Sequence, residues 1–593
     1  MPQPVTLELL SAGLSASCHS SAAEKEVVSE QIFRDIDMLE QAIYALKKRH
    51  NSLCIVERLP KELLATIFKW ILSMERDSRS CRWLRVGQVC TEWRRVALDC
   101  PALWCFYYTT NLDWLDIVFR RSGTSSLYVH QDLQRKNSKG LRQALSEIKR
   151  VRELTFFAYY TTQWEKILEA LVKLQPGVPP LLESFNAHWE VYDGNVQTLP
   201  ENLFTSTPPR LKSLALTGCM IGNNASLLPN LTSLDLGQTL YLQESLPVSL
   251  AQLIGILEQA PKLENLKLHH ACQKDDGVDD IITRSRIKTV TLSCLRHIDL
   301  AGLMCNDILS QIAHPTPLAH IVLHLQIDAS SEIVCYMHKL CPTLVTRIRP
   351  VHHLQVLLAH ETTFEYQCWG QENLSIHSVP SVKPDLNLTL LTDIKQVDRS
   401  FMEETILLAS LQVLDIAVYH TSITEGFWLA FKDLENLTTI RVRNLAVATF
   451  IQALKKMSYM KIDANAKLPS SRYRTKPSFK SLRILIIQEW LFDSTTMDKL
   501  LKCLAARRRC GARLQQLNVT ESTFSGSDPT DTVAKLRKNV KDVIWDVKIE
   551  TKEPHIESNP DQDTRSISSN EVERWDYSSP EENFPFSPDE DDS

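Results

Sequence analysis

The chain carries LKSLALTGC at residues 211–219 and LTSLDL at residues 231–236, and both stretches follow the pattern Leu-x-x-Leu-x-Leu. The last two leucines of each stretch alternate with small or polar residues, and this period of two is typical of a strand with one buried face. One copy cannot cover its own apolar face, so we expect neighbouring copies to stack. Clear copies begin at Leu211, Leu231, Leu263, Leu295, Leu411, Leu437, Leu482 and Leu514, and weaker copies begin at Val151, Leu182 and Leu318.

This repeat is typical of leucine-rich repeats. Where the pattern is clear, neighbouring copies lie 20 to 32 residues apart, which leaves room for a helix after each strand. Helices are expected from Ser249, Ala448 and Thr496. We therefore predict an α/β fold, an irregular leucine-rich-repeat solenoid over residues 151–549 with parallel strands inside and helices outside. Between about 349 and 395 we expect a degenerate repeat or an insertion. The alternative is a set of unrelated half-buried strands in another α/β fold.

The residues that alternate with the core leucines should form the concave face of such a solenoid. Their charges are of mixed sign, which suits recognition of a protein through hydrogen bonds and charge complementarity. A solvated face without a partner is the alternative. The candidate residues for binding a target protein are Asp235, Lys267, Asp299, Asp415, Arg441, Arg443 and Asn518.

A helical segment precedes the repeats. It reads RLPKELLATIFKWIL over residues 58–72 and VGQVCTEWRRVALDCPALW over residues 86–104, with a charged insert between them. The first part carries apolar residues at helical spacing, and Pro60 suits the first turn, where a missing N–H costs nothing. Pro101 ends the second helical stretch, and Trp104 follows it.

This segment resembles an F-box, which we expect over residues 55–106. The resemblance implies docking onto the Skp-type adaptor of an SCF (Skp–cullin–F-box) ubiquitin ligase, with a cullin as a further partner. The layout is similar to that of fungal, basidiomycete-type F-box proteins, in which a heptad helix precedes the box and irregular leucine-rich repeats follow. By this resemblance the residues that form or support the adaptor-binding surface are Leu59, Pro60, Leu63, Ile67, Val89, Trp93, Leu103 and Trp104.

The flanking segments differ in composition. Residues 24–50 should form a helix with a short heptad seam, which either dimerises the protein weakly or packs against the F-box. Residues 107–150 are expected to be a connector, and residues 1–23 to be disordered. From Thr551 to Ser593 there are 13 acidic and 3 basic residues, a net charge of −10, so we predict a disordered acidic tail over 550–593.

Enzyme and metal motifs are absent from the sequence. It contains no G-x-G-x-x-G, no P-loop and no H-E-x-x-H, so we expect neither an enzyme nor a cofactor. The 15 cysteines form no C-x-x-C. The pairs His269–His270 and His352–His353 are poor chelates, because adjacent residues point to opposite faces of a strand. No metal site is therefore expected.

The overall charge and hydropathy limit the class of partner. The net charge of −5 does not favour binding to nucleic acid. The sequence contains no run of 18 apolar residues, so we expect no segment that spans a membrane. We expect no signal peptide, and we expect reduced thiols in the cytoplasm or the nucleus. The resemblance to an F-box implies a substrate-recognition subunit of an SCF-type ligase. The alternative is a non-catalytic leucine-rich-repeat scaffold whose F-box acts outside a ligase or is a relic.

Overall fold

The computed structural model describes most of the chain between residues 22 and 549. The predictions for residues 1–21 and 550–593 lie outside the described residues, as does most of the charged insert of the helical segment. Within 22–549 the description omits residues 76–81, 109–112, 133–137, 174–178, 190–195, 201–202, 204–207, 223, 239–245, 274–287, 315–317, 327–338, 341, 345, 361–362, 372–381, 392–407, 420–422, 424, 458–477 and 526–527.

The N-terminal part is helical, as predicted. Helix α1 (Ala22–Asn51) is followed by α2 (Lys61–Glu75) and α3 (Thr91–Leu98). Short 3-10 turns separate or follow these helices at Ile55–Arg58, Arg82–Gln88 and Pro101–Trp104.

The predicted packing of α1 against the F-box segment is not observed. Of the seam residues Ile36, Leu39, Ile43 and Leu46, Leu39 is half-buried and the other three are exposed on α1. Since most of the seam is not buried within the described residues, dimerisation through 24–50 stays a prediction.

The described residues then form a large sheet of 18 strands, and most of these strands run parallel. The mixed α/β class and the parallel sheet agree with the sequence, while the solenoid and leucine-rich-repeat character stay predictions. The strands of the sheet are β1 (Phe106–Tyr108), β2 (Leu127–Asp132), β3 (Val151–Ala158), β4 (Ser184–Trp189), β6 (Ser213–Thr217), β8 (Ser233–Gly237), β9 (Asn265–His269), β11 (His297–Ala301), β13 (His320–Gln326), β14 (His353–His360), β15 (Thr363–Trp369), β16 (Leu386–Leu391), β17 (Val413–Val418), β18 (Thr439–Asn444), β19 (Ile484–Gln488), β20 (Leu491–Phe492), β21 (Gln516–Phe524) and β22 (Asp542–Ile549).

Two short strand pairs lie outside this sheet. Strand β5 (Gln197–Thr198) pairs with β7 (Cys219–Met220), and β10 (Val290–Thr291) pairs with β12 (Ile312–Ala313). The segment expected to be a connector contributes β2, which pairs with β1 and β3, so the sheet begins directly after the helical segment.

Each clear copy of the leucine pattern forms one parallel strand. The strand begins two residues after the first leucine, as in β6 after Leu211. Leu211, Leu214 and Leu216 are fully buried, and the equivalent residues of the other clear copies are buried as well. Burying one such side chain contributes about 1.5–3 kcal/mol, so each copy of the pattern adds to the apolar core.

Helices lie between many of the strands. Helix α10 (Ala446–Met457) packs against β17 and β18, and α11 (Ser494–Arg509) packs against α10. Helices occur at the three places where the sequence predicted them, in α7 (Leu250–Glu258), α10 and α11. The bounds are α4 (Asp113–Ser122), α5 (Ser138–Ser146), α6 (Thr161–Lys173), α7 (Leu250–Glu258), α8 (Cys305–Gln311), α9 (Glu425–Leu429), α10 (Ala446–Met457), α11 (Ser494–Arg509) and α12 (Pro529–Asn539).

The parallel order is interrupted between β13 and β17. Strand β16 pairs with β13, and β14 pairs with β17, both in parallel. Between them β15 runs antiparallel to both β14 and β16. The spatial order is therefore β13–β16–β15–β14–β17, and the interruption falls in the region where the repeat pattern is hard to read.

Candidate functional site

Helix α2 carries two apolar faces. One face, formed by Leu64, Phe68 and Leu72, is buried in the core. The Phe68 ring lies 5.1 Å from the Trp93 ring of α3, measured between ring centroids. This contact joins α2 to α3 and fixes which side of α2 faces inward.

The second apolar face of α2 points to solvent. Leu63 is 51% exposed, and Ile67, Trp70 and Met74 follow it at spacings of four, three and four residues. Trp70 and Met74 are 70% and 86% exposed. These four residues form one stripe along the helix, here called the α2 stripe. An exposed apolar stripe of this kind marks a protein-binding surface.

Two residues of the α2 stripe were not predicted from the sequence. Trp70 and Met74 lie seven and eleven residues after Leu63, which places them on the same helical face. That spacing was readable in the sequence. The sequence alone did not decide which of the two apolar faces of α2 would be buried.

The other predicted adaptor-binding residues divide into accessible and buried ones. Pro60 and Val89 are exposed, Leu59 is half-buried against the core, and Trp93 is half-buried against Phe68. Val89 directly precedes Cys90, whose sulfur accepts a hydrogen bond from the Trp93 N–H at 3.4 Å at the start of α3.

Leu103 and Trp104 do not form the surface. Their exposed fractions are 0% and 3%. Trp104 packs edge-on against Trp83 with centroids 5.5 Å apart, and its Nε1–H donates to the Ala97 carbonyl at 2.9 Å. Both side chains are buried in contacts within the chain. They therefore hold the helices together and are not accessible to an adaptor.

A polar face of the sheet carries the predicted target-binding residues. Six of them occupy a single row across neighbouring strands, because the strands pair in register from β8 to β21. The row runs through Asp235, Lys267, Asp299, Val322, Asn387, Gln367, Gln355, Asp415, Arg441, Ile486 and Asn518. Arg443 lies in the next row on the same face.

One part of the polar face is accessible. Lys267 Nζ lies 3.1 Å from Asp235 Oδ2, and both side chains are partly exposed. His269 Nε2 lies 2.9 Å from Asp299 Oδ1, and His324 Nε2 lies 3.7 Å from the same oxygen. The accessible part thus presents charges and the half-buried His324 imidazole, while His269 is itself buried.

The pKa values in this part reflect burial and close charges. Burial, with the positive charges of His269 and Lys267 nearby, lowers the pKa of His324, although Asp299 acts in the opposite direction. For Asp299 burial raises the pKa, but the hydrogen bond from His269 and the charges of His269, His324 and Lys267 outweigh it. The pKa of Asp299 is therefore lowered, and an ionised carboxylate lies beside the His324 imidazole.

The other part of the polar face is closed. Asp415 has no exposed surface, and its two oxygens contact Arg441 Nη1 at 3.0 Å and Arg443 Nη2 at 3.2 Å. Arg441 is also buried. The prediction that Asp415 and Arg441 contact a target is therefore corrected, because the two charges pair with each other in the interior of the chain. Asn518 is half-buried and remains a candidate.

The comparisons with known proteins bear on the helical segment. The F-box-like family matches residues 56–110. No curated protein matches the chain. F-box domains generally bind Skp-type adaptors, and an F-box-like domain suggests a role in substrate recognition by ubiquitin ligases in general. None of the described helices is long and apolar enough to cross a bilayer.

Proposed function

We propose that this protein is the substrate-recognition subunit of an SCF-type ubiquitin ligase. The F-box-like domain binds a Skp-type adaptor, which links it to a cullin, and the polar face of the sheet binds a target protein. The α2 stripe carries this proposal, because it is an exposed apolar surface inside the matched F-box-like segment. Large side chains such as Trp70 are frequent hot spots of interfaces, each contributing about 2 kcal/mol or more.

The connection between the two parts of the molecule supports such a role. The 3-10 turn Pro101–Trp104 packs against α4, and the Tyr128 N–H of β2 donates to the Cys105 carbonyl at 2.9 Å. The buried core runs continuously from Leu64 in α2 to Val543 in β22. A target on the sheet is then held in a fixed relation to the adaptor, and catalysis by proximity requires this fixed geometry.

In this proposal the protein itself makes no covalent bond and is not an enzyme. It acts in the cytoplasm or the nucleus.

The test is co-purification of the full chain with a Skp-type adaptor and a cullin. A Leu63→Asp, Trp70→Ala double variant should lose at least about 100-fold in adaptor affinity, since two exposed apolar contacts are removed. Its melting temperature should stay close to that of the wild type, because neither side chain is buried. Leu46→Asp, which changes an exposed leucine of α1, is the matched control and should retain adaptor binding.

The outcomes separate the two functions considered. Capture of adaptor and cullin by the wild type, but not by the double variant, supports the ligase subunit. Capture of the adaptor without a cullin favours a scaffold. A folded wild type that captures no adaptor overturns the proposal and leaves a scaffold with a relic F-box.

A further inference from the structure

Three potential metal ligands converge on the accessible part of the polar face. They are His269 on β9, Asp299 on β11 and His324 on β13. The two Nε2 atoms lie 2.9 Å and 3.7 Å from Asp299 Oδ1, and one donor atom from each of the three residues lies within 4.8 Å of the others. The two imidazole rings are nearly perpendicular, at 79°.

We propose that His269, Asp299 and His324 form a binding site for a divalent transition-metal ion, with Zn²⁺ as the best fit. Zinc binds imidazole nitrogen and carboxylate oxygen at about 2.0–2.2 Å in tetrahedral geometry, which separates ligand atoms by roughly 3.4 Å. The two distances to Asp299 Oδ1 bracket this value, and the two imidazole donor atoms lie within 4.8 Å of each other, so side-chain rotations can bring all three ligands into place. Three protein ligands leave a fourth coordination position for water or for a donor atom of a bound partner.

The strand register brings the two imidazoles together. Ala301 lies between them, because it pairs with His269 on one side and with His324 on the other. Its methyl group leaves the space above the row open. A larger side chain at this position would separate the two rings, so Ala301 is part of the site although it carries no ligand.

The backbone of both histidines is fixed before any ion binds. The His269 carbonyl accepts a hydrogen bond from the Gln238 N–H at 2.7 Å, and the His324 carbonyl accepts one from the Gly302 N–H at 3.0 Å. Gly237 has a φ of +150°, and a Cβ there would lie 1.8 Å from the His269 carbonyl oxygen. Preorganised ligands lose little freedom on binding, which favours a genuine site.

The site differs from the adjacent pairs considered in the sequence. His270 has a φ of 51° and leaves the strand, so His269 and His270 do not chelate together. The ligands instead come from three strands, with Asp299 lying 30 residues after His269. The neighbouring Lys267 is engaged by Asp235, which reduces its repulsion of a cation.

The test uses the purified full chain, stripped of metal with a chelator and titrated with Zn²⁺ against a chromophoric competitor. The wild type should bind one more Zn²⁺ ion than the His324→Gln and Asp299→Asn variants. If the variants still bind this ion, their affinity should be at least about 100-fold weaker than that of the wild type. His188→Gln is the matched control, because His188 lies in the same row on β4 but outside the cluster. It should bind Zn²⁺ like the wild type.

A second readout separates this site from ions held by cysteine. Co²⁺ bound by two imidazoles and a carboxylate should give visible d–d absorption without a sulfur-to-cobalt charge-transfer band. The d–d absorption should disappear in His324→Gln and persist in His188→Gln. Equal Zn²⁺ stoichiometry and affinity in the wild type, His324→Gln and Asp299→Asn would overturn the proposal, and His269–Asp299 would then be a hydrogen-bonded pair only.

Discussion

Residues that look equivalent in the sequence play different parts on the polar face. Asp235 and Asp415 occupy the same row of the sheet, and both were predicted to contact a target. Asp235 pairs with a partly exposed lysine, whereas Asp415 is buried between two guanidinium groups. The Asp235 ion pair can break at little cost in free energy when a partner binds. The buried Asp415 carboxylate instead stabilises the fold.

The Asp415→Asn substitution tests this difference at the residue scale. It removes the buried negative charge that Arg441 and Arg443 both contact, and should lower the free energy of unfolding by about 3–5 kcal/mol. Asp235→Asn is the matched control and should cost no more than about 1 kcal/mol, because its ion pair is exposed. Urea unfolding followed by circular dichroism measures both. Similar small losses for the two variants would show that Asp415 is not structurally required.

At the scale of the element, the start of helix α11 is set by one residue. Asp493 is the N-cap, and its carboxylate accepts hydrogen bonds from the Thr496 N–H at 2.8 Å and the Thr495 hydroxyl at 2.6 Å. These bonds, led by those from the two threonine residues, lower the pKa of Asp493 to about 2. The carboxylate is thus favoured in its ionised form in the folded chain.

Asp493→Ala should cost about 1 kcal/mol of stability at pH 7, the usual value of an N-cap. The folded pKa lies below the unfolded one, so the ionised cap stabilises the fold above about pH 4, and this contribution is lost as the pH falls toward 2. Asp493→Asn keeps a capping side chain but does not titrate. Urea unfolding at pH 5 and pH 3 should therefore show the wild type losing its advantage over Asp493→Asn at the lower pH. A difference that is the same at both pH values would contradict the role of the charged cap.

The strands were more predictable than their order. The alternation of Leu214 and Leu216 with smaller residues is local, so one repeat copy was enough to predict a buried strand face. The place of β14 beside β17 depends on a pairing between residues about 60 positions apart, such as Gln355 and Asp415. Nothing local specifies it. The burial of Asp415 follows from that pairing, and therefore could not be predicted either.

At the scale of the whole molecule, the helical segment and the sheet share one core. Trp104 lies near the end of the F-box-like segment, under the Arg121 guanidinium of α4 at 5.2 Å from the ring centroid. It is directly followed by Cys105, whose carbonyl accepts a hydrogen bond from the Tyr128 N–H of β2. A substitution at Trp104 should therefore destabilise the sheet as well as the helices. The sequence predicted an F-box and a solenoid separated by a connector. No local pattern predicted that residues of this connector would join the two parts in one core.

Trp104→Ala tests the shared core. It should lower the free energy of unfolding by about 3–5 kcal/mol, the usual cost of removing a buried tryptophan. Native-state hydrogen exchange should show weaker protection in α2 and α3, and also in β2, because all of them depend on the same contacts. Trp70→Ala, which changes an exposed residue of the α2 stripe, should leave protection in β2 unchanged. If Trp104→Ala weakens only the helices, the F-box segment unfolds independently, and a target on the sheet would not be held in a fixed position relative to the adaptor.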